Sequence, residues 1–533
     1  MAVFKAKQEK TPPPAVTAFD LFIFSWEDTM RNNDRRISLS KSLYMEGLRC
    51  LKLLWMRFNR PELAAPTDPQ TRHLFDTGHR VGELARQLFP GGILIGNGHQ
   101  LPFRPLLQAT EAAISGEAPS LYEGAFSNGN THCRVDILER IPDAPNTWNL
   151  HEVKMSSKLK KEHIDDCAFQ AYCVSLSGIT IPGIFLIHVN GDYSRQGDLD
   201  ISRFFTSEDI TADVRRQMIS VPFNVSSMIK AVRNPAPPDV LIGGQCKAPG
   251  QCPFYEHCHN AIPSGSVYEL PFGNRLIPKL IKAGITKLAD IPPTTPLSIR
   301  QAALVESAKT GLPVIKIAAI REHLNTLKYP LLFLDFETAS PCIPVLNDTS
   351  PYERLPFQYS VHVLPRQDSP LEHHEFLPDD QDDPRLQLVE QLISILGDEG
   401  SIIVYHEPFE RSVLLQLKER FPIYADRIER IIQRLFDLII PFKSGSYSDV
   451  RFAGSCSIKK VLPVMVPSLS YDNMPIARGD EASLAYEKLI SGEIGIEEWP
   501  HFRQDLLAYC KLDTLAMVEI LNVLTNITNG GAA

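Results

Sequence analysis

A chain of 533 residues is longer than one ordinary hydrophobic core sustains, so several domains of roughly 100–200 residues are expected. Its 54 Lys and Arg against 63 Asp and Glu, a formal net charge of −9, exclude a uniformly basic surface, so contact with a polyanion must rest on local clusters. No run approaches the roughly 18–20 apolar residues that span a bilayer, and the opening MAVFKAKQEKTPPPAV lacks a signal peptide's apolar stretch, so a cytoplasmic protein without a membrane partner is expected.

Residues 1–36, polar and proline-containing, predict a loosely ordered extension. A helix follows over SLSKSLYMEGLRCLKLLWMRF, with Ser40 as its N-cap. A second helix pattern runs from about 74 to 90, and strands are predicted at 133–140 and 147–155, with a further helix from about Glu162. Basic clusters fall at Arg31, Arg35 and Arg36, at Arg49, Lys52, Arg57 and Arg60, and at Lys154, Lys158, Lys160 and Lys161. Each suits either phosphate contact or a solvated face.

In CRVDILER, Asp136 interrupts an apolar strand, and NLHEVKM places Glu152 and Lys154 two residues apart on one strand face. Two carboxylates with a neighbouring ammonium suit Mg²⁺ or Mn²⁺ chemistry at a phosphate. Upstream, His79 and Glu83 stand at i, i+4 on a helix; downstream lie Gln170 and Tyr172. This order resembles the RecB-type PD-(D/E)XK nucleases, in which a histidine at the place of His79 is a metal ligand; Gln170, Tyr172 and, more weakly, Glu83 are the supporting residues that the resemblance implies. Where that pattern has a tyrosine four residues after the glutamine, this chain has Val174.

Of the ten cysteines, Cys133, Cys167, Cys173, Cys342, Cys456 and Cys510 are scattered and read as small buried hydrophobes. GGQCKAPGQCPFYEHCHN instead gives Cys246-x5-Cys252-x5-Cys258 in a Gly- and Pro-rich loop. With Cys50 as fourth ligand the set is similar to iron-sulfur RecB-like nucleases such as AddB and the CRISPR-adaptation-associated nucleases, which implies a [4Fe-4S] cluster. Tetrahedral Zn²⁺, with His257 or His259 contributing, stays open.

Residues 265–329 form a short helical segment. PKLIKAGITKLADIP resembles a helix-hairpin-helix turning at Gly284, with a small linking bundle as the alternative. At YPLLFLDFET an apolar strand carries Asp335 and Glu337 on one face. VYHEPFERSVLLQL places Glu410 at a helix start, and LLAYCKLDTLAMVEI puts Tyr509 and Asp513 on one helix face. The set resembles the DnaQ-like DEDDy exonucleases, with Glu410 where aspartate is usual. The resemblance implies that these acids hold two metals and that Tyr509 orients water, for 3′→5′ removal of nucleotides. Asp437 suits an auxiliary acid or, better, a turn residue; Lys459 and Lys460 suit phosphate contact or solvent.

The expected fold class is thus α/β: a PD-(D/E)XK restriction-endonuclease-like domain over 37–264, the helical segment 265–329, and an RNase H-like (DnaQ-like) mixed-sheet domain over 330–527. The combined order resembles a bacterial family that joins these units. The expected activity is metal-dependent cleavage of DNA, at ends or in single strands, in repair or in defence against foreign DNA. The alternatives are RNA as substrate, or a DNA-end-binding scaffold with one or both centres inactive. No protein partner is legible.

Overall fold

The structure, a computed structural model, describes residues 37–96, 101–260, 262–472, 474–495 and 497–530. The extension at 1–36, with Arg31, Arg35 and Arg36, lies outside the described residues.

The N-terminal unit is built on a seven-stranded mixed sheet. Its strands are β1 (Leu39–Ser40), β2 (Ile93–Leu94), β3 (Ser120–Asn128), β4 (Thr131–Arg140), β5 (Trp148–Lys154), β6 (Ile184–Val189) and β7 (Phe205–Asp209). Along β4 and β5 the apolar residues Val135, Ile137, Leu138, Trp148 and Leu150 are fully buried, which pins the register that faces Asp136 and Glu152 inward. β5 and β6 run parallel, and between them in sequence lies the helix Lys161–Ser175. Its Phe169, Cys173 and Val174 join Leu138 and Leu150 in one core.

The predicted first helix is two. Helix α1 (Lys41–Arg49) and helix α2 (Leu51–Asn59) meet at Cys50, whose backbone is extended at φ −164 and ψ 116. Ser40 caps α1 as expected. Cys50 closes α1 with its N–H on the Glu46 carbonyl and opens α2 by accepting the Leu53 N–H at Sγ, 3.4 Å away. A residue serving two helix termini leaves the helical path. The next helix, α3, spans Pro69–Ala85 with an Asp68 cap, earlier than the predicted 74–90, and α4 is the crossover helix Lys161–Ser175.

Within 265–329 a helix at Ile277–Lys282 turns at Gly284 (φ 78). The element that follows is a three-residue 3₁₀ turn, Leu288–Asp290, where a helix-hairpin-helix has a full second helix. Val267, Leu280, Leu288, Leu304 and Val305 pack into a small core of their own, the linking-bundle alternative. β8 (Val314–Ile315) then joins this segment to the C-terminal unit by pairing with Tyr447–Ser448.

The C-terminal sheet holds β9 (Leu331–Ala339), β10 (Leu355–Leu364), β11 (Glu372–Phe376), β12 (Ser401–Val404) and β13 (Leu435–Asp437) in the order β11-β10-β9-β12-β13. β11, β10 and β9 are antiparallel, whereas β9, β12 and β13 are parallel. Helices α5 (Glu407–Arg420), α6 (Ile458–Met465), α7 (Gly479–Ile490) and the 30-residue α8 (Trp499–Thr528) complete the unit. Both sheets are mixed, so the chain is α/β. The units touch: the Met155 carbonyl, next to Lys154, accepts from Tyr352 Oη and from Cys342 Sγ, and Arg195 N donates to the Thr349 carbonyl at 3.0 Å.

Gly454 sits at φ +73, and a Cβ there would lie 1.7 Å from the carbonyl oxygen of Glu269. Gly454→Ala must therefore push the linking segment away from the turn that leads into α6. It is expected to lower stability in urea unfolding by about 1–3 kcal/mol; an unchanged midpoint would show that this contact is not a constraint.

Candidate functional site

Three centres emerge, each assembled from segments far apart in sequence. In the first, Glu152 is wholly buried and its Oε1 meets Lys154 Nζ at 2.6 Å and Lys41 Nζ at 2.9 Å. Gln170 donates to Glu152 Oε2 at 2.6 Å and to Asp166 Oδ1 at 2.9 Å, and Lys154 also reaches Asp166 Oδ2 at 2.6 Å. Asp136 accepts the Val153 N–H at 2.8 Å. Burial alone would raise Glu152, yet the two ammoniums and the amide hold it well below its ordinary range. Asp136 is pushed up to about 7 by burial and by the Glu152 charge. Glu152 is thus favoured as the anion, while burial and the Glu152 charge favour the protonated form of Asp136.

The sequence placed Asp136, Glu152, Lys154 and Gln170 together, and the fold joins them. His79 and Glu83 present exposed side chains on α3, and Tyr172 lines an open surface groove of about 870 Å³ with Asn128, Lys230 and Arg233. Asp166 and Lys41 were missed. Asp166 precedes Gln170 by four residues on one helix face, a spacing that could have signalled it; Lys41 sits 111 residues from Glu152, and nothing local marks it.

The second centre lies at the α1–α2 break. Cys50, Cys246, Cys252 and Cys258 line one cavity of about 30 Å³, with Arg49, Met56 and Phe254. Burial and the neighbouring thiols push Cys252 and Cys258 up, which disfavours the thiolate at these two positions. Arg49 donates to the Gln245 carbonyl at 2.6 Å and to the Gly250 carbonyl at 2.5 Å, Arg57 pairs with Glu46 and Arg60 with Glu62. Three of the four basic residues read as one cluster are thereby committed to the protein. His259 bonds the Tyr255 carbonyl and stacks on its ring at 3.6 Å, and His257 is exposed.

The third centre gathers Asp335 and Glu337 from β9, Glu410 from α5, and Tyr509 and Asp513 from α8. Ligand atoms of Asp335, Glu337 and Cys510 all fall within 4.8 Å of one another, and Cys510 Sγ donates to Asp335 Oδ2 at 3.6 Å. Burial, then Asp513, Glu337 and Glu410, hold Asp335 well above the carboxylate range. Burial likewise pushes Glu337 and Glu410 up to about 8 and Asp513 to about 6. Asp513 stays lowest because Tyr471 Oη donates to it at 2.7 Å and Lys459 stands nearby. Lys459 Nζ also donates to Tyr509 Oη at 2.9 Å, which draws Lys459 from solvent into the centre, whereas Lys460 is exposed. Asp437 accepts the N–H groups of His406 and Ile439, the turn role expected of it.

This donor set fits divalent cations. Glu410 Oε2 is buried without a hydrogen-bond partner, and at Gly479 a Cβ would come within 3.3 Å of Glu337 Oε2, so a larger side chain would crowd that carboxylate. Tyr471, Gly479 and Cys510 were missed as members. Cys510 reads as a hydrophobe by composition, and the other two lie on loops and helix ends without periodic signal.

Residues 332–457 match a family profile described as "Domain of unknown function (DUF2779)"; the span holds Asp335, Glu337 and Glu410 and ends before Tyr509 and Asp513. The chain is similar to "Uncharacterized protein MG366" of Mycoplasma genitalium, 26% identical over 214 residues, 37% of this chain and 32% of that protein. It is also similar to the MG366 homolog of Mycoplasma pneumoniae, 27% identical over 216 residues, 36% of this chain and 32% of that one. A third relative, "Uncharacterized protein UU173" of Ureaplasma parvum, is 26% identical over 216 residues, 36% of this chain and 31% of its own. The chain thus spans about a third of the length of these curated relatives.

Glu337 and Glu410 are held to about 8 against an ordinary 4.5, so between these values the folded protein binds more protons than the unfolded chain. Stability fully present below about 4.5 is therefore lost as the pH rises toward 8. Metal-free protein should show a melting temperature that falls across this window, with a shallower fall in Glu337→Gln. A flat profile in the parent would mean that these acids are not strained by their burial.

Proposed function

We propose that the chain is a metal-dependent phosphodiester hydrolase acting on DNA, with a PD-(D/E)XK-type centre at Asp136, Glu152 and Lys154 and a 3′→5′ exonuclease-type centre at Asp335, Glu337, Glu410, Tyr509 and Asp513. The observation that carries the reading is the packing of four mutually repelling carboxylates at the third centre, Glu337, Glu410 and Asp513 buried and Asp335 half-buried. Buried acids without counter-charge are costly to keep, and divalent cations are the partners that four such groups suit. Three antiparallel strands continued by two parallel ones, with the acids on the central strand and on two helices, agree with an RNase H-like unit. A crossover helix carrying Gln170 behind Glu152-x-Lys154 agrees with a RecB-like one.

At the third centre Asp335, Glu337, Glu410 and Asp513 would hold Mg²⁺ or Mn²⁺. When bound, such cations activate water and stabilise the leaving oxygen. Tyr509, held by Lys459 and kept protonated by burial and the surrounding acids, presents a hydroxyl that orients the water. Lys459 offsets charge at Glu337 and Asp513 and reaches Tyr509 at the same time, so it links the tyrosine hydroxyl to these two acids. At the first centre Glu152 and Asp136 would hold the cation and Lys154 would steady charge on the phosphate.

The four thiols, gathered around one small cavity, would hold a [4Fe-4S] cluster, with tetrahedral Zn²⁺ as the alternative. The cluster's role here is structural: it fastens the α1–α2 break to residues 246–258, across nearly two hundred residues of chain.

The test is a cleavage assay with purified protein on end-labelled single- and double-stranded DNA and RNA, with and without Mg²⁺ or Mn²⁺. Asp335→Asn should abolish trimming from 3′ ends, Tyr509→Phe should slow it by roughly 10²–10³, and Asp136→Ala should remove a second, distinct product. Metal-independent products, or trimming by Asp335→Asn at the parent rate, would refute the nuclease reading; binding of DNA ends without turnover would assign the chain as a scaffold.

A further inference from the structure

The first centre holds two ammonium groups where the sequence expects one. Lys41 Nζ lies 2.9 Å from Glu152 Oε1 and 3.9 Å from Asp166 Oδ1. Lys154 Nζ lies 2.6 Å from the same Oε1 and 2.6 Å from Asp166 Oδ2. Two cations sharing one carboxylate oxygen repel each other. They remain because Glu152, with no exposed surface, has no water to answer its charge.

Lys41 is placed with care. Leu39 and Ser40 pair in parallel with Thr131 and His132 of β4, Ser38 Oγ bonds His132 Nδ1 at 2.8 Å, and the Ser40 hydroxyl caps the helix that Lys41 begins. The strand end thus delivers the lysine over Glu152, with a quarter of its side chain open to solvent. A lysine needed merely to neutralise Glu152 would be redundant, since Lys154 and Gln170 already bond it. A divalent cation arriving on Glu152 must displace one ammonium. Lys154 keeps a close second partner in Asp166, whereas the second partner of Lys41 is 3.9 Å away, so Lys41 is the one released.

Resting on the nuclease reading of this centre, we propose that Lys41 is a phosphate-holding residue of the N-terminal site. It covers Glu152 in the cation-free protein and moves to a non-bridging oxygen of the scissile phosphodiester when the cation takes Glu152. No covalent bond changes in this exchange: one ion pair is replaced by two, cation with carboxylate and ammonium with phosphate. The bound phosphate would also relieve the repulsion between the two lysines.

The test uses the full chain in an Asp335→Asn background, which silences the C-terminal centre, and compares Lys41→Met and Lys41→Arg with the Lys41 parent. Titration calorimetry with Mn²⁺ should show roughly tenfold tighter binding in Lys41→Met, the scale of one competing charge a few ångströms away in a partly wet site. The same variant should cleave DNA roughly 10²-fold more slowly and lose about one counterion from the salt dependence of DNA binding in Ca²⁺. Lys41→Arg should restore the salt dependence and most of the cleavage. A folded Lys41→Met that binds Mn²⁺ no tighter, or cleaves at the parent rate, overturns the assignment while leaving the nuclease reading in place. A Lys41 parent that neither binds Mn²⁺ at this centre nor cleaves overturns both.

Discussion

Burying a carboxylate away from water costs several kcal/mol unless a positive charge or a full set of donors answers it, and the C-terminal unit is organised around that cost. Asp335 and Glu337 project from the central strand β9, Glu410 from the first turn of α5, and Asp513 from the middle of α8. Each element is anchored by its own apolar face: Leu332, Leu334 and Phe336 on one side of β9, Val413 and Leu414 on α5, and Met517, Ile520 and Leu521 on α8. The hydrophobic cores hold the acids where they would not otherwise stay. Tyr471 and Lys459 answer Asp513, while Asp335 and Glu410 are left charged against one another or protonated. A divalent cation would restore all four to the carboxylate form.

The N-terminal centre resolves the same difficulty differently. Glu152 is as deeply buried, but two lysines and an amide surround it, so it is ionised without any metal. Asp136 carries the strain that remains. The thiol centre is joined to this arrangement through one nine-residue helix, with Lys41 at its start and Cys50 at its end. Loss of order at the cysteines would thus be felt at Glu152.

Much of this was legible where chemistry and periodicity coincide within a few residues. Glu152 and Lys154 sit two apart on a strand, Tyr509 and Asp513 four apart on a helix, and Asp335 and Glu337 two apart on an apolar strand; each spacing dictates a shared face. The break at Cys50 was not legible, because LRCLKLLW keeps a helical apolar pattern straight through it, and a cysteine is not among the residue types that usually cap a helix. Lys41, Tyr471 and Gly479 reach their centres through tertiary approach across long stretches of chain. His79 and Glu83 are exposed on α3, whose Val81 and Ala85 pack into the core.

The central claim is that the carboxylates of the C-terminal unit form a divalent-cation site. The most direct measurement is thermal unfolding of the chain with and without Mn²⁺ at slightly alkaline pH, in the parent and in an Asp335→Asn, Asp513→Asn double variant. The account predicts that Mn²⁺ raises the parent's melting temperature by mass action, that the metal-free double variant melts above the metal-free parent, and that much of the Mn²⁺ gain disappears in it. A double variant that melts below the parent without metal and gains as much from Mn²⁺ would contradict it.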